Sequence, residues 1–566
     1  MTCRCPECSR RLVSADTYCR TLATLNGMVR ARVKILTCPG HLDVRVMVQT
    51  ATKAPLFPNG RADMDVVVLI GLLHWRVGMK RCEIKTFLRS KGIYLSGGTI
   101  SNRCLDFLLL FAQLHRMRPE KLKKAFKRCG GYALHIDGTH RSGGRVTFVL
   151  QEDRHGFILD ADLLPSEGEE HVAGMLSPCK ERYDQPLVVV RDGAESLRTA
   201  IAKVLPEVPQ QLCQPHFLRN TERTLLGEPH AELKRLLVKH HLTATLRGLR
   251  VTDAEVDRNL LGLERLIVHI VVDYLLYPVK HQSKWLSDPL PYYFQYLRIK
   301  EIVPLVSRLV MCNASRDFVC SPLMELDLRL RRVLEDPAAR DAFNLMHRTI
   351  RWMDMTRLPL RISRGTHLKD APPDGHDLEE VKTQLRIVLD RIVQEGREIG
   401  GSFERVALSL RDTFQGHWEE LFVPFPTVKG KTFKFRRHNN ALECVHRHTR
   451  KGIRERTGRE QTRVEMEQHG DLLAILSNLW NPAYQRQVLD DVWSLSDALG
   501  QYIPDLPRLR EEYRLARAGP ERPVPDGERL IMVKNFLQVL ESSRDDDGML
   551  TRLMKVMGLE EATIAG

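Results

Sequence analysis

The spacing of apolar positions changes period several times along the chain. Residues 1–50 are strand-like. Residues 63–115 read as helices. Within them CEIKTFLRSKGIYLSGGTISNRCLDFLL (82–109) predicts a helix, a turn around Gly92 and a second helix capped near Ser96 or Thr99. Ile84, Phe87, Leu88, Ile93, Ile100 and Leu105 are spaced as in a helix-turn-helix, which can set its second helix in a DNA major groove. A plain helical hairpin has the same spacing. From 130 to 222 the period shortens. GYALHID (131–137), RVTFVLQED (145–153), GFILDADLL (156–164) and PLVVVRDGA (186–194) are β-branched runs bounded by turn residues. Helical patterns at 169–183 and 195–205 flank the fourth run. Three strands in a meander, then helix, strand and helix, predict a mixed sheet with helices against it.

Residues 223–420 are helical in pattern, as in LLGLERLIVHIVVDYLL (260–276) and LEEVKTQLRIVLDRIVQEG (378–396), with a turn-rich interruption at 358–377. Residues 464–566 are helical again, and GPERPVPDGE (519–528) reads as a linker before a last helix pair. The expected class is therefore multidomain α/β plus α. The boundaries run 1–50 for a metal ribbon, 55–126 for the helix-turn-helix and 127–222 for the first part of a sheet domain. A helical insertion follows at 223–420, the last part of the sheet domain at 421–463 and a helical C-terminal region at 464–566.

The charge adds a partner class. Across 566 residues the net charge is +15, and the surplus is concentrated: from Lys429 to Arg463, twelve Lys or Arg stand against three Glu. Such a block suits a polyanion, most often nucleic acid. The chain opens MTCRCPEC with no apolar leader, and no apolar run reaches the ~20 residues of a membrane span, so no membrane partner is expected. An odd cysteine count, 13, points to reduced thiols in a cytosol.

Four of the N-terminal residues form two close pairs. Cys5-Pro-Glu-Cys8 is followed after 29 residues by Cys38-Pro-Gly-His41, the spacing of a ribbon holding one structural Zn²⁺. Cys3 and Cys19 are spare candidates.

Candidate chemistry starts from two acids at strand ends. Asp137 closes the first run of the sheet and Asp192 the fourth, each followed by Gly. Taken singly, Asp-Gly is a common turn pair. If the two strands are neighbours, however, the carboxylates stand side by side, and like charges that close need a cation between them. Mg²⁺ or Mn²⁺ suits all-oxygen ligands. A third acid lies in NNALECVHRHTRKGIRERTGRE (439–460). Wound as a helix capped by Asn439 or Asn440, this stretch puts Leu442, Val445, Thr449 and Ile453 on one stripe. Glu443, Arg447, Arg450, Lys451 and Arg454 fall on the next. The plain reading is a solvated basic helix. With the two Asp, Glu443 becomes a third ligand for two ions, and Arg436, Arg437, Arg447, Arg450, Lys451 and Arg454 become phosphate contacts. Cys213-Gln-Pro-His216 follows the second acid. No second ligand pair stands near it, so it reads as accessory to the site.

Together HIDGTH (135–140), VVRDGAESLRTAI (189–201), CQPHFLRN (213–220) and RRHNNALECVHRHTRKGIRERTGR (436–459) resemble the DDE transposases of the ribonuclease H-like fold, closest to the bacterial insertion-sequence and Mutator-like group. The resemblance covers roughly residues 1–460. It implies Asp137, Asp192 and Glu443 as a triad binding two Mg²⁺ or Mn²⁺ ions, and Cys213 and His216 as the Cys-x-x-His motif of that group. It also implies N-terminal modules that recognise inverted repeats, cleavage and strand transfer on double-stranded DNA, and a dimer or larger assembly on DNA. The expected location is the nucleoid-associated cytoplasm of a bacterium or archaeon. Three alternatives stay open: a nuclease of the same fold without strand transfer, a non-catalytic DNA-binding protein derived from a transposase, and a binding protein that uses only the zinc ribbon and helix-turn-helix, with the rest as scaffold. Neither a GxxxxGK[ST] loop nor an HExxH helix occurs, which argues against nucleotide hydrolysis and zinc peptidase chemistry.

Overall fold

In the computed structural model the described residues are 4, 5, 7–49, 61–139, 145–249, 263–276, 290–313, 322–362, 378–490 and 494–518. Cys3, His140, most of the turn-rich stretch 358–377, and the linker and helices after 518 lie outside them. The chain is mixed α/β and mostly helical. Residues 1–503 form one compact unit, and a second begins at Pro504, where the described structure is the helix Leu506–Arg517.

Strands β1 (Val13–Thr24) and β2 (Gly27–Cys38) form an antiparallel hairpin, and β3 (His41–Gln49) pairs with the other side of β2. Gly27, at φ +98°, takes the turn conformation that a side chain would resist. Among the described residues, the buried core at the cysteine end is Cys5, Leu12 and Cys38, with Cys8 and Leu36 against it. That is little apolar surface for this end of the module.

Four helices follow: α1 (Met64–Trp75), α2 (Arg81–Ser90), α3 (Gly97–Arg116) and α4 (Pro119–Arg128). The predicted turn forms at Gly92, with φ +70°. The Ser96 hydroxyl caps α3 by accepting from the Thr99 amide at 3.1 Å. From Cys104 onward, however, α3 is mostly core: Phe107, Leu108, Leu110, Phe111 and Leu114 are all buried. Only its first turns are open to a partner, so most of this helix cannot lie in a groove. Phe107 sits against Gly71 of α1, where an added Cβ would come within 2.2 Å of the ring.

The central sheet contains β4 (Ala133–Thr139), β5 (Val146–Glu152), β6 (Ile158–Leu164), β7 (Val188–Arg191) and β8 (Gln210–Leu212), in the order β6-β5-β4-β7-β8. β5 is antiparallel to both neighbours, while β4, β7 and β8 run parallel. The four strands read from the sequence are all present. The fifth, β8, was not anticipated: Gln-Gln-Leu is too short and polar to carry a period-2 signal. Helices α5 (Glu169–Tyr183) and α6 (Glu195–Val204) connect as expected. Ala133, Val188 and Val190 pack with Val423, Phe433 and Phe435, which come from beyond the helical region.

That region begins with α7 (Gln214–Lys239), directly after β8. It continues through α8 (Leu242–Gly248), α9 (Leu263–Leu276), α10 (Pro291–Asn313), α11 (Pro322–Glu335), α12 (Pro337–Leu360), α13 (Leu378–Ile399) and α14 (Gly401–Gly416). Its described residues form two apolar cores. The one nearer the sheet joins Leu212 and Phe217 to Trp352, Leu389 and Phe414; the other joins Leu233 to Val272, Ile299, Leu330 and Met346. The chain then returns through α15 (Trp418–Leu421) and a small hairpin to α16 (Asn440–Thr457) and α17 (Arg463–Leu476).

The boundary expected at 463/464 does not hold. An added Cβ on Gly470 of α17 would lie 2.9 Å from the Thr147 hydroxyl of β5. Beyond α17, the Asn478 side chain accepts from the Ile158 amide and donates to the Ile158 carbonyl, at 2.9 and 2.8 Å. Residues 463–490 therefore buttress the sheet. Among the described residues no helix is long and apolar enough to cross a membrane.

Candidate catalytic site

Strands β4 and β7 pair in parallel with Ala133 opposite Val188, Leu134 opposite Val189 and His135 opposite Val190. Continued by two residues, this register sets Asp137 beside Asp192 at the carboxyl ends of adjacent central strands, where neighbouring backbones are about 4.8 Å apart. Asp137 is 6% exposed. Asp192 is half-buried, and its Oδ1 accepts from the Ala194 amide at 2.9 Å, which turns the chain into α6. The turn role of the Asp-Gly pair is thus observed at Asp192.

Glu443 reaches this edge from the first turn of α16. Its Oε1 accepts from His216 Nε2 at 3.1 Å and lies 4.0 Å from the Arg219 guanidinium. The His216 hydrogen bond is the main reason its pKa sits below the usual glutamate value; burial pulls the other way. Asp137 behaves oppositely. Burial, reinforced by the charges of Asp192 and Glu443 and opposed by His216, pushes it up to about 7. For His216, burial opposes a charge, but Cys213, Glu443 and Asp137 around it hold its pKa above the ordinary histidine value. The three acids and His216 thus form one electrostatic unit.

One buried side chain ties this unit together. Asn439 donates from Nδ2 to the Ile136 carbonyl at 2.8 Å, and its Oδ1 pairs with His135 Nδ1 at 3.0 Å. Its amide donates to Cys213 Sγ at 3.3 Å. Asn439 stands at the N-cap of α16 as expected, but its side chain makes no capping bond to the helix. It instead fixes the start of α16 against β4 and the end of β8. His135 continues the chain to Asp153, at 3.4 Å, and Asp153 accepts from the Arg436 amide at 3.0 Å. Cys213 is buried, and its amide donates to the Arg191 carbonyl at 2.7 Å, so it is part of this frame.

The six expected phosphate contacts divide. Arg447, Lys451 and Arg454 are exposed on α16, Lys451 with Glu455 at 3.5 Å. Arg450 is half-buried and donates to the Thr139 hydroxyl of β4. Arg436 is partly exposed beside Asp153. Arg437 departs from the expectation. It is 4% exposed, donates to Gln211, and lies 4.7 and 5.1 Å from the Phe425 and Phe435 rings. It is a core cation shielded from solvent.

Two other features escaped the sequence reading. His446, one turn after Glu443, is buried with its Nε2 3.9 Å from Asp137 Oδ2; burial, then Arg450, lowers its pKa to about 4. Its signal, Glu-x-x-His on a helix, was hidden in a stretch crowded with basic residues. Asp160, an acid in the middle of β6, is buried with Arg116 at 3.2 Å and Arg182 at 2.5 Å.

At the N-terminus the paired-ligand spacing becomes a cluster. Cys8 Sγ is 3.5 Å from Cys38 Sγ, and His41 Nδ1 is 3.8 Å from both Cys5 and Cys38. All four donor atoms lie within 4.8 Å of one another. Tetrahedral zinc with bonds of about 2.0–2.3 Å sets its ligands roughly 3.4–3.8 Å apart, so this cluster could hold a metal such as zinc. Among the described residues it is the only group of three or more Cys, His, Asp or Glu that meets so closely. The three acids face one another more loosely, with Glu443 drawn toward His216.

No protein-family model matches the chain, and no curated protein matches it.

Proposed function

We propose that the protein is a DNA transposase of the DDE type with a ribonuclease H-like catalytic domain, holding its divalent ions on Asp137, Asp192 and Glu443. The observation that carries this reading is the pairing register of β4 and β7, which sets two carboxylates side by side, with Glu443 held at the same edge by His216. The strand order β6-β5-β4-β7-β8, with only β5 reversed among the inner strands' partners on that side, supports the fold assignment. So does the helical insertion between Asp192 and Glu443. The Cys/His cluster supports a zinc ribbon ahead of the catalytic domain.

The donor set fits hard divalent cations. Asp137 is buried and resists ionisation, the charges of Asp192 and Glu443 adding to the effect of burial, a crowding that a cation relieves. Two bound Mg²⁺ or Mn²⁺ ions would activate water, or a DNA 3′-OH, and neutralise the charge that develops on the entering and leaving oxygens. The protein's own part is positioning. Asn439 fixes α16 to β4, so Glu443 keeps its place relative to Asp137. Arg447, Lys451 and Arg454 offer exposed cations to the phosphates on either side of the scissile one. Joining an element's two ends to a target calls for at least two copies on the DNA, in the cytoplasm where the chromosome lies.

The test is strand cleavage and joining on labelled DNA carrying the flanking inverted repeats, in Mg²⁺ or Mn²⁺. Wild type should cleave and join, and Glu443→Gln should do neither. Cleavage without joining would make the protein a nuclease. Binding without cleavage by either would leave a DNA-binding protein only.

A further inference from the structure

Glu443 and His446 are three residues apart on α16, so both project from one face toward the sheet. His446 is 5% exposed, and its Nε2 is buried with no hydrogen-bond partner. That nitrogen faces Asp137 Oδ2 across 3.9 Å, too far for a hydrogen bond. Burying an imidazole nitrogen without a partner is unfavourable, and a bound cation would relieve that cost. An octahedral ion with bonds of about 2.1 Å sets adjacent ligands roughly 3.0 Å apart and opposite ones roughly 4.2 Å apart. The observed separation falls inside that range. A Glu with a His three residues later on one helix is also a ligand pair that serves two-metal carboxylate centres in helical proteins. The other nearby imidazole, His216, already spends its Nε2 on Glu443.

We propose that His446 is a nitrogen ligand of the divalent-metal site; this rests on the reading of Asp137, Asp192 and Glu443 as that site. The donor set is then mixed, three carboxylates and one imidazole. Carboxylate and water suit Mg²⁺, whereas imidazole suits first-row transition ions. The site therefore prefers Mn²⁺ to Mg²⁺, and His446 is the residue that sets the preference.

The experiment loads the full-length, zinc-containing protein with Mn²⁺ and looks by pulsed EPR for a directly bonded nitrogen. Wild type should show the nitrogen coupling, and His216→Gln should keep it. His446→Gln should lose it while binding Mn²⁺ on the order of tenfold more weakly. His446→Asp, which supplies oxygen in place of nitrogen, should bind without the coupling and shift the preference toward Mg²⁺. Mn²⁺ bound to wild type without nitrogen coupling would overturn the proposal, whether or not any variant folds; so would coupling that survives in His446→Gln. Mn²⁺ binding unchanged by Asp137→Asn and Asp192→Asn would overturn the carboxylate site itself, and the proposal with it. That failure is distinguishable, because it is read from the affinity and not from the coupling.

Discussion

His216 Nε2 stands 3.1 Å from Glu443 Oε1, and this contact is the main reason the Glu443 carboxyl is easy to ionise. A carboxyl with a depressed folded-state pKa contributes stability above its unfolded value and loses that contribution as pH falls. Replacing His216 with Gln removes the cation and lets the Glu443 pKa climb. If Glu443 must be ionised for cleavage, the acid limb of the pH–activity profile moves to higher pH in His216→Gln, while activity near pH 8 is less affected. An unmoved acid limb would sink this link between the two residues.

Asp137 carries the opposite sign. Its folded-state pKa is raised to about 7, so the folded protein binds a proton there that the unfolded chain releases near pH 4. Stability from this site is full at low pH and is lost as pH rises from about 4 to about 7. Without added divalent ions, Asp137→Asn should be more stable than wild type at pH 8, by on the order of 2 kcal/mol, and gain nothing at pH 4. Thermal unfolding at the two pH values measures this. Added Mn²⁺ should reverse the order at pH 8.

Asn439→Ala should cost about 2–3 kcal/mol, because it leaves the buried Ile136 carbonyl and His135 without their partner. Denaturant titration reads the loss. A variant as stable as wild type would show that α16 is held by its apolar seam and not by this side chain.

Arg447, Lys451 and Arg454 should act together, and Arg437 should act differently. Changing the three exposed cations to Ala should weaken DNA binding and lower the slope of log affinity against log salt by about 2–3. It should leave thermal stability nearly unchanged. Arg437→Ala should destabilise the protein, since the guanidinium lies against both the Phe425 and Phe435 rings in the interior.

Chelation should act first at the N-terminus. The buried cluster there is little more than Cys5, Leu12 and Cys38, so losing the metal removes much of what holds that end together. Metal removal, or Cys38→Ser, should expose the β1–β2–β3 module to proteolysis while the central sheet β4–β8 and α17 stay protected. Equal protection of both regions would remove the structural role for the metal.

What was legible in the sequence was whatever repeats or pairs. Asp137 and Asp192 stood out because each ends a β-branched run before a Gly, and the Cys-x-x-Cys and Cys-x-x-His pairs because their spacing is itself geometry. The helical region announced itself by its period. The frame around the site did not. Asn439 looks like a helix cap because its partners, His135 and Ile136, are some three hundred residues away. Asp160 looks solvated until Arg116 and Arg182 are seen closing on it from two different helices. Arg437 is indistinguishable in the sequence from its exposed neighbours. α17 carries an ordinary amphipathic pattern that says nothing about which surface it covers. In each case the missing information is a long-range partner, which local periodicity cannot encode.

The separation of Glu443 from Asp192, 443 − 192 = 251 residues, has a consequence for synthesis. The sheet edge with Asp137 and Asp192 emerges from the ribosome long before α16, and Asn439, which locks the two together, emerges only just ahead of Glu443. A nascent or prematurely ended chain therefore carries the Cys5-Cys8-Cys38-His41 cluster and two of the acids but no third. On the function proposed above, such a copy lacks the third carboxylate that cleavage requires.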